Sequence, residues 1–200
     1  MLAEIGNPAP PIDGIGLATA WDVGVRASSD VSRSHWQGSA IRVPRRLSRA
    51  EQSWQVARQL GHWGLWRAGC PESEQSADLV AEALLLPREA FSADLRATLW
   101  DLRALAAIHC YCPHELIARR IVSLRSACAA AWLGGAMVSR HVSPWLPESY
   151  ARVTVFEREL AADALVQGCT LQGGGLSWAL ALGRCVITVC EAEEAMRATG

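Results

Sequence analysis

The sequence contains no lysine, so all 19 of its basic residues are arginines. Together with 20 acidic residues they give a formal net charge of -1. A net charge so close to zero gives no support for a general nucleic-acid or acidic-lipid binder. We therefore expect no direct contact with nucleic acid. We also expect the arginines to favour planar, bidentate contacts with other side chains.

Long apolar runs are also missing from the chain. The longest, at residues 127–138, contains Gly134 and Gly135 and is too short to cross a bilayer. Residues 1–16 are rich in proline and glycine, without the basic start and apolar core of a signal peptide. These absences predict that the chain has no membrane segment.

The cysteines do not follow the pattern of a disulfide framework. There are seven of them, an odd number, and their spacings are irregular. Reduced thiols are typical of the cytoplasm, so we expect a cytoplasmic location.

The order of apolar residues predicts an α+β fold. Helical periodicity and helix-end signals predict five helices, at residues 13–21, 49–69, 73–87, 95–109 and 114–131. Apolar and β-branched stretches predict four strands, at residues 22–26, 40–43, 152–157 and 185–191. Because Pro44 follows it, the strand at 40–43 is expected at a sheet edge.

Two domains are expected from the change in character along the chain. Residues 1–144 form a helical core with a small edge sheet, and residues 145–200 form a small β-rich C-terminal extension. Within the extension, the glycines at 173–175 lack the spacing of a phosphate-binding loop and predict a flexible turn.

The clearest local signal begins the helix predicted at residues 49–69. Ser48 and Glu51 form the S-x-x-E pattern of a capping box, in which each side chain bonds to the backbone N–H of the other. The run R-Q-L-G-H at residues 58–62 follows on the same helix. It has the length of the H-E-x-x-H motif of zinc peptidases, but only its final histidine, His62, is present.

Four stretches, in order, resemble the ImmA/IrrE family of zincin-like metallopeptidases. They are the strand and spacer at 41–51, the R-Q-L-G-H run, the helix at 77–87, and the segment 105–120. The resemblance implies a zincin-like fold with a helix–turn–helix corner near residues 110–113. It also implies a protein partner, because family members act on or beside a helix-turn-helix repressor in phage, mobile-element or stress regulation.

The same resemblance locates the positions of zinc chemistry. In this family two histidines four residues apart hold the ion, a glutamate is the general base, and a second helix supplies an acidic ligand. Here Arg58 replaces the first histidine, Gln59 the base and Ser76 the acidic ligand. A guanidinium does not ligate a metal, an amide does not titrate, and one histidine is not a zinc site. We predict no catalytic residue, no metal and no other cofactor.

Charged and aromatic residues near the motif predict a cleft that binds without cutting. Glu74 and Asp78 flank Ser76, and one of them is expected to form a buried ion pair with Arg58. Trp63 and Trp66 are candidates for a partner surface, with core packing as the alternative. The predicted cleft and partner-binding residues are Arg58, Gln59, His62, Trp63, Trp66, Glu74 and Asp78.

The segment from residue 109 to residue 114 is a second candidate metal site. His109, Cys110, Cys112 and His114 place four donors within six residues. Structural zinc sites usually take their ligands from two separated knuckles, and no second pair follows here. A packed corner is the preferred interpretation, and a non-standard site here or around His62 stays open.

These patterns predict a catalytically defective ImmA/IrrE-like protein that works as a protein-binding or regulatory module. One alternative is a divergent zinc endopeptidase that cleaves a regulatory protein, with zinc as its cofactor. A second alternative is a structural subunit of a larger assembly. The sequence leaves open the identity of the partner, the oligomeric state and the role of the C-terminal extension.

Overall fold

The structure is a computed structural model that describes residues 9–173 and 176–192. Within these ranges the chain forms seven α-helices and two β-sheets, which confirms the predicted α+β class. The helices are α1 (Gly14–Ala20), α2 (Arg49–Arg67), α3 (Glu74–Leu85), α4 (Arg88–Ala97), α5 (Leu102–Ile108), α6 (His114–Leu124) and α7 (Val155–Gln167). The strands are β1 (Gly24–Ser28), β2 (His35–Gln37), β3 (Ala40–Pro44), β4 (Ala127–Leu133), β5 (Ala136–Val142), β6 (Thr170–Gln172), β7 (Trp178–Leu182) and β8 (Cys185–Glu191).

The first sheet has the strand order β1-β3-β2. β1 runs parallel to β3 and β2 runs antiparallel to it. The prediction of an edge strand at residues 40–43 is therefore wrong, because β3 has a neighbour on each side. β2 lies in a polar segment and has only three residues, which is too short to produce an alternating pattern in the sequence. Ile41 and Val43 on β3 are fully buried and face the core.

The second sheet is antiparallel, with the order β5-β4-β8-β7-β6. The helix predicted at residues 114–131 ends at Leu124, and its last part belongs to β4, so that prediction is wrong. β4 is paired on both sides and six of its seven residues are buried. A strand that is covered in this way has no polar alternation, and its alanine-rich sequence does not distinguish it from a buried helix.

The strand predicted at residues 152–157 is also wrong, because this segment contains the start of α7. The Thr154 hydroxyl accepts a hydrogen bond from the Glu157 N–H at 3.2 Å, and the Glu157 carboxylate accepts one from the Thr154 N–H at 2.9 Å. This capping box determines the helix start despite the β-branched run around it. α7 packs against β7 and β8, and β8 confirms the strand predicted at residues 185–191.

The helix predicted at residues 95–109 is divided into α4 and α5. Leu99 and Trp100 interrupt it with φ angles of 50° and 66°, a backbone conformation that bulky residues rarely adopt. Trp100 is 6% exposed, and the Trp178 indole donates a hydrogen bond to the Leu99 carbonyl at 3.1 Å. Burial and this contact stabilise a helix break that no glycine or proline marks in the sequence.

The chain divides into two compact units. The first comprises residues up to 91 together with 108–113, and the second comprises 92–107 together with the residues from 114 onward. The predicted domain boundary between residues 144 and 145 stays a prediction. The five-stranded sheet of the second unit takes strands from both sides of that boundary.

Each unit has its own apolar core. Large buried side chains of the first unit include Ile41, Leu60 and Leu85, and those of the second include Trp132, Leu160 and Val186. No helix in the ranges 9–173 and 176–192 combines the length and the apolarity needed to cross a membrane. Two of the three glycines in the turn predicted at 173–175 lie outside the described residues.

Candidate functional site

The candidate site lies where α2 and α3 pack against each other in the first unit. The predicted capping box at Ser48 and Glu51 is present at the start of α2, and Ser73 caps the start of α3. Close packing of the two helices depends on Gly61, since a Cβ atom there would lie 2.6 Å from the Ala77 carbonyl oxygen. The backbones of the two helices therefore approach each other closely at this point, and side chains on their facing sides can make direct contact.

Arg58 on α2 is bound by two carboxylates of α3. Its Nε donates to Asp78 Oδ1 at 2.5 Å, and its Nη2 donates to the Glu74 carboxylate. Glu74 and Asp78 are four residues apart and thus share one helix face. The ion pair predicted for Arg58 is present with both acids, but it is only partly buried, since the Arg58 and Asp78 side chains are 23% and 30% exposed.

Gln59 holds α2 to the segment that precedes β3. The Gln59 side-chain amide donates a hydrogen bond to the Ser34 carbonyl at 3.3 Å. The backbone carbonyl of Gln59 accepts a hydrogen bond from the Trp36 indole at 3.3 Å. One turn earlier, Gln55 accepts from the Ser34 hydroxyl at 2.6 Å. The group at the general-base position is therefore a neutral amide engaged in structural hydrogen bonds. Unlike a carboxylate, this amide cannot accept a proton from a water molecule.

His62 lies close to two acidic side chains. Its Nε2 is 3.7 Å from Glu74 Oε2, and its Nδ1 is 3.9 Å from Glu72 Oε2. These are ion-pair distances for a protonated imidazole and are too long for hydrogen bonds. Glu74 thus lies between His62 and Arg58 and can balance charge on both.

Ser76, the residue at the expected position of the third ligand, takes part in the cap of α3. It receives a hydrogen bond from the Ser73 hydroxyl at 2.8 Å, and its own N–H donates to that hydroxyl at 3.0 Å. The acids that face α2 are Glu74 and Asp78, two residues to either side of it. The four-residue spacing of these acids is the sequence signal that identifies the charged face of α3.

The two predicted tryptophans have different surroundings. Trp63 lies between Trp21 and Trp36, with ring centroids 6.2 Å and 6.4 Å away, and the Arg67 guanidinium lies 5.0 Å from its centroid. Trp66 is 67% exposed. Trp63 therefore belongs to an aromatic cluster, whereas Trp66 offers an open apolar surface.

A groove of about 470 Å³ lies beside the Arg58 ion pair. Three of the seven predicted cleft residues line it, namely Arg58, Gln59 and Glu74. The other lining residues were not predicted from the sequence and come mainly from the segment before β3 and the end of that strand: Ser32, Arg33, Ser34, Pro44, Leu47 and Gln55. The groove offers amides, hydroxyls, the mutually compensated charges of Arg58 and Glu74, and the unpaired guanidinium of Arg33.

Two of the four donors in the second candidate metal segment, His109 and Cys112, are buried. His109 is 1% exposed and packs against Phe91, with ring centroids 5.2 Å apart. Burial raises the pKa of the Cys112 thiol to about 12, so it stays protonated at neutral pH, and burial lowers the pKa of His114. Across residues 9–173 and 176–192, no three side chains of the His, Cys, Asp and Glu types form a cluster suited to a metal ion.

Comparison with known proteins identifies a fold but no family. No protein-family model matches the sequence, and no curated protein matches it. The structure is similar to a solved one described as a "Mycobacterium tuberculosis transcriptional regulator", with a TM-score of 0.72 and 16% sequence identity. The match covers 98% of this chain and 75% of that one. At this identity the likeness shows a shared fold, and the ImmA/IrrE assignment remains a resemblance.

Proposed function

We propose that this chain is a cytoplasmic regulatory module that binds a segment of a partner protein in the groove beside α2 and does not hydrolyse it. The observation that carries this proposal is the pairing of Arg58 with Asp78 and Glu74. A permanently charged guanidinium lies at the position where the resembled peptidases hold their metal. The two facing acids are engaged with that guanidinium.

The electrostatics of this arrangement oppose zinc binding. A dication near His62 would lie one helical turn from Arg58 and be repelled by it. The acids that attract such an ion already compensate the arginine. Gln59 cannot accept a proton from a metal-bound water, so the reaction lacks its base even if a metal enters.

The regulatory part of the proposal rests on two likenesses. One solved structure with this fold is described as a transcriptional regulator. The resemblance to ImmA/IrrE proteins implies a helix-turn-helix repressor as the partner. The seven free cysteines suit the reducing cytoplasm, where such a partner acts.

The alternative function is a divergent zinc endopeptidase. It is favoured by a single observation, the approach of the Glu72 and Glu74 carboxylates to within 4 Å of the His62 ring. In that case Arg58 has to turn away from α3 when the metal binds.

Metal content and peptide cleavage of the full chain separate the two functions. We expect the purified protein and its His62→Ala variant to contain equally little zinc, and neither to cleave a peptide library in added zinc. One zinc per chain that disappears in His62→Ala, together with cleavage, supports the endopeptidase and overturns the proposal. Refolding in the presence of a chelator, followed by dialysis against zinc, controls for metal lost during purification.

A further inference from the structure

The first unit carries an uneven distribution of charge around β3. Residues 22–47 contain five arginines and only two aspartates, although the whole chain has a net charge of -1. The two aspartates cannot compensate five guanidinium groups. Part of this surface is therefore strongly basic, whatever the balance of the whole molecule.

Six of the nine arginines of the first unit fall into two groups of three. Three have carboxylate partners: Arg42 pairs with Asp30 at 2.7 Å, Arg49 pairs with Asp13, and Arg58 pairs with Asp78 and Glu74. Three others, Arg33, Arg45 and Arg46, are exposed and form no ion pair with any residue that the structure describes. We call these three residues the basic rim.

The basic rim borders two neighbouring depressions. Arg33 lines the groove beside α2, while Arg45 and Arg46 line a second cavity of about 300 Å³ together with Val31 and Pro44. Pro44 lines both depressions, so they are adjacent. Arg46 is held by a hydrogen bond of 3.4 Å from its Nη2 to the Ser32 carbonyl, which places its charge at the edge between them.

We propose that this surface docks an acidic, extended segment of the partner protein. An aliphatic side chain of that segment enters the second cavity against Val31 and Pro44, and carboxylates on either side of it pair with the basic rim. Guanidinium groups recognise carboxylates through paired N–H donors, and these three have no competing acid in the described part of the chain.

Charge complementarity favours a protein segment over nucleic acid as the occupant. The rim has three cations in a small area, whereas a nucleic acid needs positive charge along an extended track. The chain as a whole has a net charge of -1, so its composition supplies no general excess of positive charge for a phosphate backbone. The apolar floor at Val31 and Pro44 suits an aliphatic side chain. This inference rests on the proposed function, since it names the kind of segment that the module binds.

Selection from a phage library of random dodecapeptides against the full chain tests this assignment without assuming a partner. We expect enriched peptides in which aspartate or glutamate flanks an aliphatic residue. A synthetic peptide of the enriched sequence, followed by fluorescence anisotropy, is then expected to lose about tenfold or more in affinity with the Arg33→Glu, Arg45→Glu double variant. Its affinity is also expected to fall as salt is added.

The matched control is the Arg103→Glu, Arg158→Glu double variant, which changes two exposed arginines of the second unit by the same charge. It is expected to keep the wild-type affinity within roughly twofold, because neither arginine belongs to the basic rim or lines either of its two depressions. Circular dichroism of both double variants checks that each retains its fold. Equal losses in the two variants mean that only net charge matters and overturn the assignment.

Further outcomes also overturn it. Enrichment of peptides without acidic residues, or of none, excludes an acidic occupant. Binding of a mixed-sequence DNA duplex that the rim substitutions abolish assigns the rim to nucleic acid instead. Zinc analysis of the same preparation distinguishes the two proposals: a zinc-free chain without acidic ligands overturns this inference alone, whereas a zinc-loaded, active chain overturns the proposed function.

Discussion

The chemical character of the candidate site depends on two neighbouring side chains of α2, Arg58 and Gln59. Arg58 engages the two facing acids of α3 as ion-pair partners, and the Gln59 side-chain amide donates a hydrogen bond to the Ser34 carbonyl. Both side chains are engaged in contacts within the first unit. The neighbouring His62 lies 3.7 Å from Glu74, which also binds Arg58.

Removal of the Arg58 side chain should destabilise the fold. We expect Arg58→Ala to lower the free energy of unfolding by about 1–2 kcal/mol, between the values for exposed and for buried ion pairs, because the pair is partly exposed. Urea denaturation of Arg58→Ala, Asp78→Ala and the double variant measures the coupling. Strictly additive losses show that the two side chains do not interact in solution and contradict the description of the site.

A second prediction concerns pH and Glu115 in the second unit. Its carboxylate accepts a hydrogen bond from the Ser139 hydroxyl at 2.7 Å and lies 3.4 Å from His141 Nε2. These contacts lower the pKa of Glu115 from 4.5 to about 2, and the contact with His141 has the largest effect. Because the folded pKa lies below the unfolded one, the stabilisation is complete above pH 4.5 and is lost as the pH falls toward about 2.

Glu115→Gln should therefore flatten the acid limb of the stability curve. Between these two pH values, the wild type is expected to lose unfolding free energy more steeply than Glu115→Gln in urea titrations. Glu159→Gln, which alters an exposed acid of α7 without an ion pair in the described residues, serves as the control and should follow the wild type. Parallel curves for the wild type and Glu115→Gln are the result that this explanation cannot accommodate.

At the scale of elements, the contact between α2 and α3 depends on a missing side chain. Gly61→Ala places a methyl group 2.6 Å from the Ala77 carbonyl oxygen, so the helices must separate. We expect a destabilisation of about 1–3 kcal/mol, although alanine is the better helix former. Thermal and chemical denaturation provide the measurement.

The control for this substitution is a glycine with room for a methyl group. Gly16 lies in α1, and the nearest atom to an added Cβ is the Asp13 Cβ at 3.8 Å. Gly16→Ala is expected to be neutral or to stabilise by up to about 1 kcal/mol. If Gly61→Ala is equally neutral, the helices are not as close as described.

The two helices of the candidate site are predicted correctly because local signals mark their ends. Ser48 and Gly69 mark the start and the end of α2, and Ser73 and Pro87 mark those of α3. Both helices occur as predicted. β4 was beyond prediction from sequence because its burial depends on β5 and β8 pairing from either side. The break at Leu99 and Trp100 is equally nonlocal, since it is stabilised by burial and by the Trp178 contact.

The candidate site was partly predictable for the same reason. The pairing of Arg58 with acids on the next helix follows from charge and helical spacing, and it is confirmed. The wall formed by Ser34 and Arg33 depends on how the segment around β2 returns to α2, which no local pattern encodes. Whether the seven predicted residues bind a partner stays a prediction.

At the scale of the whole molecule, a nearly neutral net charge conceals local differences that matter for binding. Paired arginines lie at the centre of the first unit's site, and unpaired ones lie at its rim. The second unit forms a separate five-stranded sheet covered by α7. The likeness in fold to a solved structure covers 98% of this chain.

The zinc affinities of the wild type and of Arg58→His decide whether the Arg58 guanidinium keeps a metal ion out of the site. The substitution places a second imidazole four residues before His62, opposite Glu74 and Asp78, which it releases from their ion pairs. In equilibrium dialysis at micromolar free zinc, we predict no uptake by the wild type and one zinc per chain for Arg58→His. Uptake of one zinc by the wild type, lost in His62→Ala, would show that Arg58 does not keep the metal out.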